Sequence, residues 1–305
     1  MKTPHEQDED TPPTMRAVTR PQILTAAPVA FFADGRVDYE ASRKILEFIA
    51  ASGTDGAFIL GTTGEFPALS QQERLTVAQI GAEVFSQKRL IIHVGAASAF
   101  QAKALLADAV TIGAREVAVI TPYYLSASND AIFSFYRDVA SAAAELSVYA
   151  YLFAERTGKR VSPDQLGRLA NIPNLVGAKI SGETIETLDA YRAAVPSSFE
   201  IFTGADRDIA SVAARGVDGV VSGVSAVFPE PFVEIAAAVE REDLAGVARL
   251  QPDVDAAVDA VRGDPERIKV GLALRGVCTC TSRMALDSVD DAGRAELSRV
   301  VARYA

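Results

Sequence analysis

From residue 22 onward, the chain alternates between short apolar runs and longer stretches in which apolar residues recur at helical spacing. Short apolar runs are typical of strands buried on both faces, and the longer stretches are typical of the helices that cover them. The predicted strands are residues 23–32, with Pro28 inside the run, and 56–60, 90–94, 116–120, 148–153, 175–180, 200–202 and 217–221. The pattern therefore predicts eight strands, each followed by a helix.

Polar residues mark where several of these helices begin. Ser70 with Glu73 three residues later is typical of a capping box, and Pro163 after Ser162 suits a first helical turn. Asn129 or Asp130 is the predicted cap of the helix after the fourth strand. Other predicted helices cover residues 38–52, 99–112, 183–195 and 206–215.

Eight alternating strands and helices predict an α/β fold, the TIM (β/α)8 barrel, with parallel strands. A doubly wound open sheet is the alternative, but it usually has fewer strands, and no GxGxxG follows the first strand. After Pro229 the chain is helical over residues 232–240, 244–261, 265–277 and 291–304. The barrel needs one of these helices, and the others predict a C-terminal helical extension.

The predicted organisation is a disordered acidic tail over residues 1–20, a barrel over 21–230 and a C-terminal helical region over 231–305. The 305 residues carry a net charge of −10 without a basic stripe, so nucleic acid and anionic membranes are not expected partners. No secretory signal and no apolar run of ~18 residues is visible, which makes the cytoplasm the expected location.

Histidine and cysteine are too scarce for a metal site. His5 lies in the tail and His93 ends an apolar strand, while Cys278 and Cys280 stand two residues apart in a predicted helical region. This spacing suits neither a CxxC pair nor a disulfide framework. The sequence thus predicts no metal ligands and leaves acid–base chemistry to other side chains.

Lys179 stands within the apolar strand of residues 175–180. Desolvating an ammonium there is costly, which favours a neutral, nucleophilic amine of the kind that forms Schiff bases. The alternative is a lysine that reaches past the strand end into water. The other lysines are predicted to lie on the surface, and they are Lys2, Lys44, Lys88, Lys103, Lys159 and Lys269.

Active sites of TIM barrels lie at the carboxyl ends of the strands. The predicted strand ends carry residues 61–65 (Gly-Thr-Thr-Gly-Glu), residues 121–124 (Thr-Pro-Tyr-Tyr), Tyr151, Arg156, Lys179, residues 203–206 (Thr-Gly-Ala-Asp) and Ser222-Gly223. Each has an ordinary structural explanation, but together they supply a nucleophile, hydroxyl groups and an anion clamp. Without a useful histidine, a tyrosine must carry the proton, which is feasible if its phenol is coupled to Thr63.

These residues resemble the dihydrodipicolinate synthase / N-acetylneuraminate lyase family of class I (Schiff-base) aldolases, in order and spacing, over roughly residues 22–300. The resemblance implies that Lys179 forms an imine with C2 of pyruvate or another 2-oxo acid. It implies that Tyr151 carries the proton and that Thr62 and Thr63 hold the substrate carboxylate, with Thr63 also in a hydroxyl relay. No cofactor is implied beyond the covalent imine.

The resemblance also implies roles at the rim of the site. Tyr124 would complete the relay by reaching into a neighbouring subunit, within a homotetramer built as a dimer of dimers. Arg156 would bind the carboxylate of the second substrate, an aldehyde. Gly204 and Val221 would present backbone carbonyls to the site.

The sequence departs from this family around the second substrate. Residues 152–155 (Leu-Phe-Ala-Glu) replace the more usual Asn-Val-Pro-x, and Asp206 is followed by Arg207 rather than by the glutamate of the sialic acid lyases. The first expectation is 4-hydroxy-tetrahydrodipicolinate synthesis from pyruvate and aspartate semialdehyde. The alternatives are an aldolase or dehydratase of 2-oxo-3-deoxy sugar acids and, in another class, a non-catalytic ligand-binding paralogue.

Overall fold

Eight parallel strands close into a barrel in sequence order in the computed structural model, which describes residues 19–143 and 145–304. The first strand pairs with both the second and the eighth, so the sheet has no edge and the open-sheet alternative is wrong. The strands are β1 (Gln22–Ala26), β2 (Gly56–Ile59), β3 (Arg89–His93), β4 (Glu116–Ile120), β5 (Ser147–Phe153), β6 (Leu175–Ser181), β7 (Glu200–Thr203) and β8 (Gly219–Ser222).

Helices follow each strand and continue after the barrel. They are α1 (Tyr39–Ala51), α2 (Gln71–Val84), α3 (Ala99–Thr111), α4 (Asn129–Ala142), α5 (Ala154–Thr157), α6 (Pro163–Leu169), α7 (Ile185–Ala193), α8 (Ile209–Val212), α9 (Pro229–Glu240), α10 (Leu244–Val261), α11 (Pro265–Leu274) and α12 (Asp291–Val301). The α9 helix packs against α8 and β1 and is the eighth helix of the barrel. The predicted barrel and its helical extension are confirmed, whereas the boundary at residue 230 stays a prediction.

Several predicted boundaries are corrected by the structure. The first strand ends at Ala26 rather than at residue 32, because Ala27 donates the last bond to β2 and Pro28 has no N–H to continue it. The α4 helix is capped by Ser128 rather than by Asn129 or Asp130. The capping box of Ser70 and Glu73 is confirmed.

The barrel interior is apolar in its middle, and a cluster of ion pairs closes it at the amino-terminal ends of the strands. Arg89 donates to Glu116, to Glu200 at 2.7 Å and to the Tyr149 hydroxyl at 2.6 Å, all inside that end. Above this cluster lie the rings of Phe202 and of other buried aromatic residues. Ion pairs therefore close the barrel interior at the amino-terminal ends of the strands.

Cys278 and Cys280 lie after the end of α11, in an irregular segment rather than in the helical region that the sequence predicted. The segment returns to the barrel, where Thr281 forms an isolated bridge with Phe31. No helix of the described residues is long and apolar enough to cross a membrane. The acidic tail predicted over residues 1–20 falls almost entirely outside the described residues, and the cytoplasmic location stays a prediction.

Candidate active site

Lys179 lies inside the barrel on β6, in register with Tyr151 on β5 and Phe202 on β7. Only 7% of its surface is exposed, so it does not reach past the strand end into water. Its ammonium nitrogen lies 4.2 Å from the ring centroid of Tyr151 and 4.9 Å from that of Phe58. Aromatic faces hold the nitrogen by cation–π attraction in a confined space beside a phenol.

Lys269 contradicts the prediction that the other lysines are surface residues. It is 1% exposed, on α11, and its ammonium pairs with the equally buried carboxylate of Glu65. The helical pattern around Lys269 placed it on a helix correctly, but local periodicity could not show that a carboxylate of a distant turn meets it inside the protein.

Tyr151 hydrogen-bonds to the first threonine of the turn after β2. Its hydroxyl lies 3.0 Å from Thr62 Oγ1, and either oxygen can donate. The predicted coupling to Thr63 is therefore wrong. Thr63 lies by Gly223 at the end of β8, where a Cβ built on the glycine would stand 3.4 Å from Thr63 Oγ1.

The turn that carries both threonines is held in an unusual backbone conformation. Leu60 before it and Glu65 at its end have φ of 60° and 53°, in the left-handed region. Inside it, Gly64 N–H donates to Gly61 O at 3.1 Å and Glu65 N–H to Thr62 O at 3.0 Å. Non-glycine residues in this region cost about 1–3 kcal/mol each and persist where surrounding contacts impose them.

His93 forms the wall behind Tyr151 and is kept neutral. Its Nδ1 lies 2.8 Å from Leu60 O, and its Nε2 accepts the Ile120 N–H at 3.3 Å. Burial, followed by the nearby Arg74 cation, holds the pKa of His93 well below its usual range. With both ring nitrogens bonded to the backbone, His93 has no free position for acid–base work, as the sequence predicted.

Asp206 also belongs to the site. The sequence alone had used it only for the contrast with the sialic acid lyases, in which a glutamate follows the aspartate. Burial raises its pKa to about 7, against the lowering effects of hydrogen bonds from Ser222 and the Val224 N–H and of the Lys179 charge. Its Oδ1 is shielded from solvent and has no hydrogen-bond partner. The signal in the sequence was an acidic residue two positions after Gly204, the glycine that follows β7.

Gly204 and Val221 lie at the carboxyl ends of β7 and β8. Gly204 packs so closely on Ser181 that an added Cβ would stand 2.8 Å from its Oγ. Val221 belongs to the apolar lining of the barrel interior. The carbonyl roles implied for both positions stay predictions.

Arg156 stands at the rim, exposed, on the short helix α5 that follows β5. Its guanidinium lies over the ring of Phe153, 5.6 Å from the centroid. The neighbouring Glu155 turns toward the end of β6 instead, since a Cβ on Gly182 would stand 3.5 Å from its carboxyl group. No ion pair joins Glu155 to Arg156 within the described structure, so the guanidinium is available to an anionic ligand.

Tyr124 does not join the hydrogen bond between Tyr151 and Thr62 within one chain. Its side chain is 93% exposed, its φ is 76°, and it makes no hydrogen bond to Thr62 or Tyr151. Tyr123 beside it points inward, with its ring 5.8 Å from that of Phe66. The structure of one chain therefore brings together Lys179, Tyr151 and Thr62, but not Tyr124.

Comparison with known proteins assigns the chain to a family. The model of the dihydrodipicolinate synthetase family matches residues 20–304, so the chain belongs to this family, whose members are class I aldolase-type lyases. The protein is thus an enzyme, and the non-catalytic alternative is set aside.

Curated relatives are named 4-hydroxy-tetrahydrodipicolinate synthase. One from Thermosynechococcus vestitus is 28% identical and aligns over 92% of this chain and 96% of its own length. One from Prochlorococcus marinus subsp. pastoris is 30% identical, over 84% and 85%. A solved 4-hydroxy-tetrahydrodipicolinate synthase from Methylacidiphilum fumariolicum SolV superposes with a TM-score of 0.86 at 25% identity, over 93% of this chain and 95% of the other.

Proposed function

We propose that the enzyme binds a 2-oxo acid, pyruvate first, as an imine on Lys179 and joins it to an aldehyde. The observation that carries this proposal is the confined Lys179 amine, 4.2 Å from the ring of a tyrosine whose hydroxyl is bonded to Thr62. Family membership supports it, because class I aldolases work through a lysine Schiff base. An imine is itself an electron sink, so the proposal requires no metal or organic cofactor.

Tyr151 carries the proton in each step of the proposed reaction. The Lys179 amine, in its neutral form, adds to the C2 carbonyl, and one of its N–H protons passes through Tyr151 to the new oxygen, which gives a carbinolamine. The carbinolamine then loses its hydroxyl as water by taking the phenol proton. The phenolate then removes a proton from C3 of the iminium, which gives an enamine and restores the phenol. The enamine carbon attacks the aldehyde, and the phenol protonates the new alkoxide. Water then adds to the product iminium and gives a proton to the phenolate. Collapse of the resulting carbinolamine, with its hydroxyl proton passing to the nitrogen through Tyr151, releases the product and the Lys179 amine.

Thr62, Thr63 and Asp206 would serve the substrate around this centre. The Thr62 hydroxyl holds the Tyr151 phenol in place, and the turn of residues 61–65 offers hydroxyl and N–H donors to the substrate carboxylate. Carbonyls of Gly204 and Val221 would complete the pocket. Asp206, protonated below pH about 7, could donate a hydrogen bond to a substrate oxygen.

The first specific candidate for the reaction is 4-hydroxy-tetrahydrodipicolinate synthesis from pyruvate and aspartate semialdehyde. The free guanidinium of Arg156 supports it, since it can grip the aldehyde's carboxylate with two parallel hydrogen bonds. The names of the curated relatives agree with this candidate.

The second candidate is an aldolase or dehydratase that acts on a 2-oxo-3-deoxy sugar acid. The observation in its favour is the loop after Tyr151, in which Leu152 is buried and Glu155 turns its carboxylate to the end of β6. A carboxylate at that rim suits hydroxyl groups better than a second carboxylate. Steady-state assays of pyruvate with aspartate semialdehyde and with neutral hydroxyaldehydes distinguish the two candidates.

The proposed assembly is a homotetramer, a dimer of dimers in which Tyr124 enters the site of a neighbouring subunit. The exposure of Tyr124 and its left-handed backbone support this, because strain at an exposed aromatic residue requires a contact that imposes it. Sedimentation analysis of the purified protein tests the assembly.

Borohydride trapping tests the imine. The protein is incubated with pyruvate, reduced and digested, and the peptides are mapped by mass spectrometry. A reduced pyruvyl group is expected on Lys179 and is expected to be missing from a Lys179→Arg variant that folds normally. An adduct on another lysine, or on none, would overturn the proposal.

A further inference from the structure

The turn that carries Thr62 and Thr63 is tied to the C-terminal part of the chain by a buried ion pair. Glu65, the last residue of the turn, and Lys269 on α11 are each 1% exposed, and the ammonium donates to Glu65 Oε1. The two residues are 204 positions apart in sequence. The helical extension therefore reaches the substrate turn directly.

The second oxygen of Glu65 is bonded as well. Its Oε2 accepts the backbone N–H groups of Arg283 and Met284 at 2.9 Å and 2.7 Å. Lys269 in turn donates to Thr281 O at 2.8 Å and lies 3.2 Å from the Ser282 hydroxyl. Every strong hydrogen-bonding group of this buried pair has a partner, which is the condition under which such a pair can be kept inside a protein.

We call residues 281–284, which make these contacts, the strap. The Arg283 side chain extends it over the far side of the turn. Its guanidinium donates to Ala68 O at 2.7 Å, just after the turn, and to Glu73 on α2 at 2.7 and 2.8 Å. It also donates to Gly35 O at 2.7 Å. The strap thus spans the turn from Glu65 to the start of α2.

The presence of glutamate at position 65 indicates that the contacts of its side chain stabilise the turn. Glu65 has a φ of 53°, where glycine or asparagine would be less strained. A glutamate there costs conformational energy, and its carboxylate recovers that energy through three donors of the strap and α11.

We infer that Glu65 and Lys269 are positioning residues, which hold the turn in the conformation that receives the carboxylate of the 2-oxo acid. The inference rests on the proposed function, in which Thr62 and Thr63 bind that carboxylate. Neither residue touches the reacting atoms. Loss of the pair releases the turn, so it weakens binding of the 2-oxo acid more than it slows later steps.

The test compares Glu65→Gln and Lys269→Met with a matched control. Glu230→Gln removes a partly exposed ion pair at the end of the same helix, in which Arg275 donates to both Glu230 oxygens, and does not touch the turn. The measurement is the half-saturating pyruvate concentration in borohydride trapping, with kcat and the melting temperature measured in parallel. We expect the half-saturating pyruvate concentration to rise at least tenfold in Glu65→Gln and in Lys269→Met, with a smaller change in kcat. For Glu230→Gln, the half-saturating concentration should stay within twofold of that of the unaltered protein.

The double variant, Glu65→Gln with Lys269→Met, gives a second measure. Because both substitutions break the same ion pair, the double variant should raise the half-saturating pyruvate concentration little more than either single variant does. If either single variant folds and binds pyruvate as the unaltered protein does, the inference fails. If neither folds, Arg283→Gln decides: a raised half-saturating concentration supports the inference, and an unchanged one overturns it. Failure of the unaltered protein to trap pyruvate on Lys179 would instead refute the proposed function.

Discussion

The Tyr151 hydroxyl lies 3.0 Å from Oγ1 of Thr62, the first of the two threonines in the turn after β2. The two residues are 89 positions apart, and the strands that carry them, β2 and β5, are not neighbours in the barrel. The contact gives the Tyr151 phenol a partner within the same chain. The proposed proton relay therefore runs through Thr62 and does not involve Thr63. The roles of Thr62 and Thr63 can therefore be tested independently.

Thr62→Val should lower kcat by roughly a hundredfold or more, since positioned acid–base groups contribute about 10²–10⁴. Thr63→Val removes the adjacent hydroxyl with the same change in shape and should mainly raise the KM for the 2-oxo acid. Steady-state kinetics of both variants provide the measurement. Equal kcat values for Thr62→Val and the unaltered enzyme would return the relay to Thr63.

The raised pKa of Asp206 predicts that the stability of the folded protein depends on pH. Because burial raises its pKa from the ordinary 3.8 to about 7, the native state binds a proton that the unfolded state releases between about pH 4 and 7. Stability from this residue is thus full below about pH 4 and falls as pH rises to about 7, by at most about 1.4 kcal/mol per pH unit.

Asp206→Asn removes this titration. The variant should melt at a higher temperature than the unaltered protein at pH 8, and the difference should shrink toward zero at pH 4.5. Thermal unfolding followed by circular dichroism at both pH values measures it, and the comparison at each pH cancels other titrating groups. A melting difference that does not vary with pH would show that Asp206 is ionised throughout.

Arg156→Ala should separate the two substrates. The guanidinium lies at the rim, away from Lys179, so pyruvate trapping should remain nearly unchanged. Loss of a charge-assisted contact should cost roughly 1.5–3 kcal/mol, or about ten- to a hundredfold in the KM for an acidic aldehyde. Lost pyruvate trapping would place Arg156 in the imine site or the fold, and an unchanged KM would favour the sugar-acid candidate.

The proposed position of Tyr124 in a neighbouring subunit's site predicts that two inactive variants can restore activity to each other in mixed assemblies. Tyr124→Phe and Lys179→Arg should each be strongly impaired alone, because one lacks the relay tyrosine and the other the nucleophile. Co-expressed and purified as mixed assemblies, they should regain a measurable part of the activity, since a Lys179→Arg subunit can lend its Tyr124 to an intact lysine next door. Mixed assemblies as inactive as the separate variants would argue that Tyr124 serves its own chain or none.

The pattern of apolar runs and helix signals determined the architecture. The period of apolar residues, the capping box at Ser70 and the strand that contains Lys179 are local features, and each persists in the structure. Their order predicted a closed barrel, and the known geometry of such barrels then placed Lys179, Tyr151 and the threonine turn at one end. These predictions held because secondary structure and strand order follow from residues close together in the chain.

Only the tertiary structure decided which side chains meet. That Tyr151 bonds to Thr62 rather than Thr63 depends on how the turn after β2 faces β5. That Lys269 is buried depends on a carboxylate 204 residues away, and the raised pKa of Asp206 depends on burial among several strand ends. Distances of this kind are set by the packing of the whole barrel, and no local period in the sequence encodes them.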